Sequence, residues 1–424
     1  MLSRCIGIDP AEFARTYWGR LPLLTRSGAL PRDFDDLLSA PAVDELLAER
    51  GVRAPFIRLA KDGSVLARDC YLGPAGFGAE VTDQVDSAKV LAQFAAGASI
   101  VLQGLHRLWP PVIDFARTLV DDLGHPVQTN AYITPPAHRG FEPHYDVHDV
   151  FVLQTSGQKH WTVHAPVHVD PLPSQPWTGH RDAVTRRAAE EPVIDTVLSP
   201  GDALYLPRGW VHSARALDTV SIHLTVGVAP TTKLDVLRTL IDQLAAQEQY
   251  RGSLPLGGDP ADRDEMTATA TKYLAELMET LRDGTTELGE GMAERLAQRY
   301  AEQTRPVAVR PLAAFAASSN AATVAVRWRH GLVARVEDGD GRVRLCLPDR
   351  TIEFPGVCAE AVRALHRGRS ARADTLPGLD AADGAVVIGR LLREGVVAPV
   401  DSVDSVDSVD PVDPVDPVDD DSTA

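Results

Sequence analysis

Residues 130–163 read NAYITPPAHRGFEPHYDVHDVFVLQTSGQKHWTV. His144 and Asp146 stand two apart at the start of a run with strand character, VFVLQ. In extended backbone, residues i and i+2 project from one face, so an imidazole and a carboxylate converge on one point. Donors held that way, joined by one more histidine, form a facial triad that leaves open positions on a ferrous ion. Alone the pair is a common pattern. The rest of the chain must supply a third donor and an anchor for a co-substrate.

The third donor candidate lies in PGDALYLPRGWVHSA, residues 200–214. A turn at 200–202, a strand at 203–206 and a second turn at 207–209 deliver His212. It follows His144 by 68 residues, room for several barrel strands to cross. Any one of the thirteen histidines is more often a satisfied core or surface residue. The turn-strand-turn setting and the upstream His-x-Asp favour a ligand here. A co-substrate needs a cation, and Lys159 follows the Ser156-Gly157 turn. Strand parity sets it with Trp161 and Val163, opposite His160 and Thr162. A lysine facing inward beside an aromatic is costly unless it meets an anion. Its plain alternative is a surface lysine beside a core tryptophan.

The chain has 424 residues, 44% hydrophobic and 24% charged, enough for two or three domains of an ordinary globular protein. Its net charge is −17, and nine Asp of residues 401–424 leave −8 on the remainder. An acidic body argues against broad nucleic-acid affinity and suits a basic protein partner. No apolar run is long enough to span a membrane, and the N-terminus lacks the pattern of a secretory signal. Four scattered cysteines read as reduced thiols, so a cytoplasmic location is expected.

Helices are expected at 9–17, 31–38 and 41–49, then 87–95 and 110–123, with strands at 53–59, 64–66 and 99–103. From 127 to 228 short strands follow one another, at 127–134, 150–154, 160–163, 193–198, 203–206 and 221–228, the pattern of a jelly-roll sandwich or barrel. Helical periodicity returns at 234–249, 266–281 and 291–300. A hairpin of 322–336 with 343–354, helices at 359–367 and 382–394 and a strand at 395–400 suggest a winged-helix-like module or a plain α+β packing domain. Three VDS and three VDP repeats end the chain, a composition expected to be disordered.

HYD at 144–146, Lys159 and PRGWVH together resemble the JmjC branch of the cupin-fold 2-oxoglutarate oxygenases. Within it, residues 130–161 look like the ribosomal oxygenases, which hydroxylate Arg or His side chains of ribosomal proteins. The resemblance covers about residues 10–400, is strongest over 128–228 and weakest in the C-terminal module. It implies an α+β protein with a double-stranded β-helix (jelly-roll, cupin) JmjC core over 1–230. A helical dimerisation region over 231–305, a winged-helix-like domain over 306–400 and the acidic tail at 401–424 would follow. It further implies Fe(II) on His144, Asp146 and His212, 2-oxoglutarate held by Lys159, and O2 as the second co-substrate. Asn130 and Tyr132 would line the co-substrate pocket, with Tyr132 and Ser221 toward the substrate; the first two could equally be strand residues with satisfied polar ends. His148 shares the parity of the ligands and is a decoy. The expected protein is a homodimeric hydroxylase of a basic, ribosomal substrate, free of membrane and of direct nucleic-acid contacts. The alternatives are methyl-lysine demethylation by the same chemistry, or a cupin-fold binding or regulatory protein.

Overall fold

The runs at 150–153 and 203–206 are apolar at every position, the mark of strands covered on both faces. A computed structural model describes residues 1–400 apart from Asp62, Ala79, Gly140, Pro255, Gly257 and Gly258. The tail expected to be disordered lies outside the described residues. The chain divides into two compact units, residues 1–242 and 243–424.

In the first unit the strands are β1 (Leu23–Thr25), β2 (Ile57–Lys61), β3 (Ser64–Val65), β4 (Leu72–Gly73), β5 (Gln84–Val85), β6 (Ser99–Leu102), β7 (Val127–Thr134) and β8 (Asp149–Ser156). They continue as β9 (Lys159–His164), β10 (Ile194–Leu198), β11 (Ala203–Leu206), β12 (Val211–Ala216) and β13 (Ser221–Val228). An antiparallel sheet in the order β1-β11-β8-β13-β7-β6-β2-β3 stands with a smaller one, β10-β9-β12. Between them Val150, Val152, Leu204 and Leu206 pack on Trp161, Val163 and Leu198. The alternate residues of the same strands, Phe151, Leu153, Ala203 and Tyr205, enter the larger core on the other face. That is the two-sheet jelly roll expected from the strand spacing, with both faces of its central strands buried.

Helices cover the outer face of the large sheet. In α1 (Pro10–Thr16) the Asp9 carboxylate caps the amides of Ala11 and Glu12, and Phe13 meets Tyr205 edge to face at 4.9 Å. After α2 (Ala40–Ala48), α3 (Ser87–Ala95) and the short α4 (Leu105–Leu108) comes α5 (Pro110–Leu123). This helix starts on prolines, buries Val112, Phe115, Ala116 and Leu119 on one stripe, and stops at Gly124 with φ +64°. Beyond them lies α6 (Arg181–Ala188), between β9 and β10.

The second unit follows α7 (Lys233–Ala246), within which the division falls. It holds α8 (Arg263–Asp283), α9 (Thr285–Thr304) and α10 (Pro311–Ser319). There follow β14 (Val326–Trp328), β15 (Arg335–Gly339), β16 (Arg342–Cys346), β17 (Thr351–Pro355), α11 (Ala359–His366), α12 (Ala381–Arg393) and β18 (Val397–Pro399). Strands β15 to β17 form an antiparallel sheet, β14 pairs with β18, and Leu345, Phe354, Leu365 and Ile388 share their core.

Three expectations are corrected. Residues 31–38 form no helix: Phe34, Leu37 and Leu38 are buried from a run of turns, and Arg4 takes the carbonyl of Asp33 and the carboxylate of Asp36. The expected strand 322–336 is broken at 329–334, where the chain leaves β14 and turns into β15. His212 does not hang from a turn alone, because it lies in β12, paired with β9. The four cysteines are free thiols, and no helix among the described residues is long and apolar enough to cross a membrane.

Candidate metal centre and its cavity

His144 precedes β8 and is tied to β12 by an isolated bridge. Its amide donates to the His212 carbonyl at 3.1 Å, and the His212 amide donates back at 2.8 Å. The third member of the segment is fixed from the same side, with the Gly209 amide donating to the Asp146 carbonyl at 3.0 Å. Gly209 has φ +86°, and a Cβ there would lie 2.5 Å from the His168 carbonyl oxygen, so only glycine fits. Tyr145, between the two candidate ligands, points the other way into a small apolar cluster with Val184 and Val211. The i, i+2 argument therefore describes this segment although strand pairing begins only at Asp149.

Each imidazole has one nitrogen committed to backbone. His144 Nδ1 lies 2.7 Å from the Glu142 carbonyl oxygen and His212 Nδ1 lies 3.0 Å from that of Trp210. A carbonyl can only accept, so each Nδ1 carries the proton and each Nε2 presents its lone pair. One ligand atom from each of His144, Asp146 and His212 lies within 4.8 Å of the others. Burial, then the neighbouring His144, pushes the His212 imidazole down to about 4, which keeps it neutral. Desolvation raises the Asp146 carboxyl, but His148, His144, His212 and Arg58 outweigh it and hold it below the usual range. Two imidazoles with Nδ1 tied to backbone and a carboxylate are the donor set of a divalent transition metal.

The triad borders a cavity of about 80 Å³ between the sheets that runs to Lys159. Lys159 is 4% exposed, donates to Thr134 Oγ1 at 3.0 Å and has no ion pair among the described residues. Burial pushes its ammonium down to about 7. The turn that aims it needs Gly157 (φ +63°), where a Cβ would sit 2.0 Å from the Val220 carbonyl oxygen. Tyr132 also lines the cavity, stacked on His223 with centroids 5.1 Å apart. His223 is buried, its Nδ1 has no hydrogen-bond partner among the described residues, and burial, with Lys159 nearby, drives it well below its ordinary range.

Asn130 and Ser221 are not brought to the cavity. Asn130 Oδ1 accepts from the Gly104 amide at 3.0 Å, and Ser221 Oγ accepts from Gln154 Nε2 at 3.0 Å. His148 lies beside Gln128, 3.4 Å between their nitrogens, and is not among the residues lining the cavity. Thr134, His223 and Thr225 line the cavity and were not singled out from sequence. Thr134 was within reach, two residues after Tyr132 on one strand face.

A two-sheet jelly roll with a His-x-Asp…His set between its sheets defines the cupin class of metal-site proteins. Within it, residues 111–236 match the family model of the JmjC domain. The chain is similar to Ribosomal oxygenase 1 of Gallus gallus, 30% identical over 64% of this chain and 45% of that protein. It is similar to the bifunctional lysine-specific demethylase and histidyl-hydroxylase NO66 of Drosophila persimilis, 30% identical over 58% of this chain and 34% of the relative. The chain thus spans less than half the length of these curated relatives. Its fold is that of the Escherichia coli ribosomal oxygenase YcfD, solved with cobalt and 2-oxoglutarate. That match has TM-score 0.52 and 18% identity, covering 93% of this chain and 99% of YcfD.

Proposed function

We propose that the chain is an Fe(II)- and 2-oxoglutarate-dependent protein hydroxylase acting on an Arg or His side chain of a ribosomal protein. The observation that carries the reading is one cavity with two ends that a ligand would complete: three metal donors, and a buried lysine without a counter-anion among the described residues. His144, Asp146 and His212 would hold the iron, and Lys159, steadied by Thr134, would take the distal carboxylate of 2-oxoglutarate. Bound iron would supply the oxidising chemistry that puts one O2 oxygen into a substrate C–H bond and the other into succinate, with loss of CO2. The protein's own part is positioning and exclusion of water. Tyr132, Trp161 and His223 form an aromatic wall of the cavity, and the two carbonyl-bound Nδ1 protons fix the ligand tautomers.

The test is turnover of 2-oxoglutarate to succinate by the Fe(II)-loaded chain, with a +16 Da shift on ribosomal proteins from cells lacking the gene. Iron binding without succinate, across basic proteins and peptides, would leave a binding module; formaldehyde from methyl-lysine peptides would mark demethylation instead. We extend the reading to a cytoplasmic homodimer joined through 231–305, without direct nucleic-acid contacts. On α8 the exposed Leu274 and Met278, one turn apart, offer an apolar face for a second copy. A monomeric mass in solution scattering would end the dimer reading.

A further inference from the structure

His144 borders a second cavity, of about 190 Å³, which shares it and Phe141 with the first. The remaining walls are Gly63 and Ser64 at the β2–β3 turn, Glu142, Trp177 and Arg181. This outer chamber already holds a guanidinium. Arg181 lies over the Trp177 ring, 4.5 Å from its centroid, and donates from Nη1 to Glu142 Oε2 at 3.1 Å. Its side chain is 55% exposed and that of Glu142 is 48% exposed, so the pair is screened by water and loosely held. Glu142 Cγ packs over Gly63, where a Cβ would lie 3.0 Å away, so the close approach needs glycine.

The distribution of charge separates the two cavities. The carboxylate lining the inner cavity, Asp146, belongs to the metal triad, and Lys159 lines the same cavity, so a substrate guanidinium finds no uncommitted carboxylate among the described residues there. Glu142 is the carboxylate of the outer chamber. An aromatic face beside a carboxylate suits a planar cation that stacks and forks its N–H groups onto two oxygens. A neutral imidazole could stack there but would gain little from the carboxylate.

We infer that the outer chamber is a guanidinium subsite whose resident occupant, Arg181, is displaced by an arginine of the substrate. With its guanidinium on Trp177 and Glu142, the substrate arginine lays its aliphatic stem beside His144, whose ring walls both cavities. The inference deepens the hydroxylase reading and rests on it for the reaction, selecting arginine over histidine as the residue presented.

The test is fluorescence anisotropy of the metal-free full chain with two labelled Gly/Ala/Ser peptides that differ only in a central Arg or His. Glu142→Gln should weaken the Arg peptide about tenfold, by loss of the charge-assisted fork. Arg181→Ala should tighten it roughly threefold by removing the competitor, with Arg181→Lys in between. The His peptide should move by less than about twofold in every variant, since it lacks the charge that Glu142 reads. Equal thermal melts of the variants check that each has folded. The subsite is overturned if the Arg peptide is indifferent to all three substitutions, if both peptides respond alike, or if the His peptide binds more tightly. Succinate production by the Fe(II)-loaded chain is scored separately. Its absence removes the hydroxylase reading and leaves the peptide discrimination standing, whereas turnover without discrimination removes the subsite alone.

Discussion

Lys159 and Arg344 carry the same charge into opposite surroundings. Lys159 is buried between two sheets and, among the described residues, meets the Thr134 hydroxyl and no carboxylate. Arg344, on β16, is half exposed and lies 3.6 Å from Glu337 on the neighbouring strand. The same contrast recurs at other residues of the two regions. In the C-terminal unit Arg342 pairs with Glu353, Arg350 with Glu394 and Arg363 with Asp338, all at the surface. In the cavity, His223 Nδ1 and Trp161 Nε1 are buried without hydrogen-bond partners among the described residues. Paired surface charge supports a sheet by small increments, whereas buried unpaired polarity is costly and is retained where a ligand completes it.

Substitutions can break or sharpen that contrast. His144→Ala or His212→Ala should reduce divalent-metal affinity by at least about a thousandfold and abolish turnover, since each removes one of three donors. Titration calorimetry with Co(II) reads the first effect. Phe354→Ala, in the C-terminal core, should cost about 3–5 kcal/mol in that unit's unfolding free energy, read by denaturant melts, and leave Co(II) affinity unchanged. Lys159→Met should raise the KM for 2-oxoglutarate roughly 10–100-fold, the loss of a hydrogen-bonded charge pair, while raising Tm.

The Tm gain has a pH signature. The folded-state pKa of Lys159 is lowered to about 7 from 10.5, so above pH 7 the unfolded chain binds more protons. Wild-type stability therefore rises, relative to Lys159→Met, from pH 7 toward 10.5, and the gap in Tm should narrow over that window. A gap that widens would contradict the burial of a charged lysine. At the small end, Arg344→Ala should change stability by less than about 1 kcal/mol and less still in high salt.

Much of the cavity was legible from alternation and turns. The pairing of Lys159 with Trp161, the convergence of His144 on Asp146, and α5 between its prolines and Gly124 are all local, and the structure has them as expected. What was not legible came from partners distant in sequence. Asn130 has the parity of Tyr132, yet its amide is claimed by Gly104 from another element. His223 reaches the cavity through β13, whose pairing with β8 shifts register at Ile222/His223, a bulge that no composition announces. Strand β12 went unread because VHSARA mixes small and charged residues and gains its order from β9. Trp177 and Arg181 come from the excursion between β9 and β10, where no periodicity points inward.

The bridge between His144 and His212 bears on the order of assembly. Two main-chain hydrogen bonds set the spacing of these side chains, and two more to carbonyls set their ring orientation, all four made by the protein itself. Loading then resembles filling a finished socket rather than gathering loose strands around a nucleus. Stripping the chain with a chelator should remove only the mass-action increment RT ln(1 + [M]/Kd) from its melting free energy. The emptied protein should keep its fold and reload without a refolding lag, unlike small domains that exist only while their ion is bound.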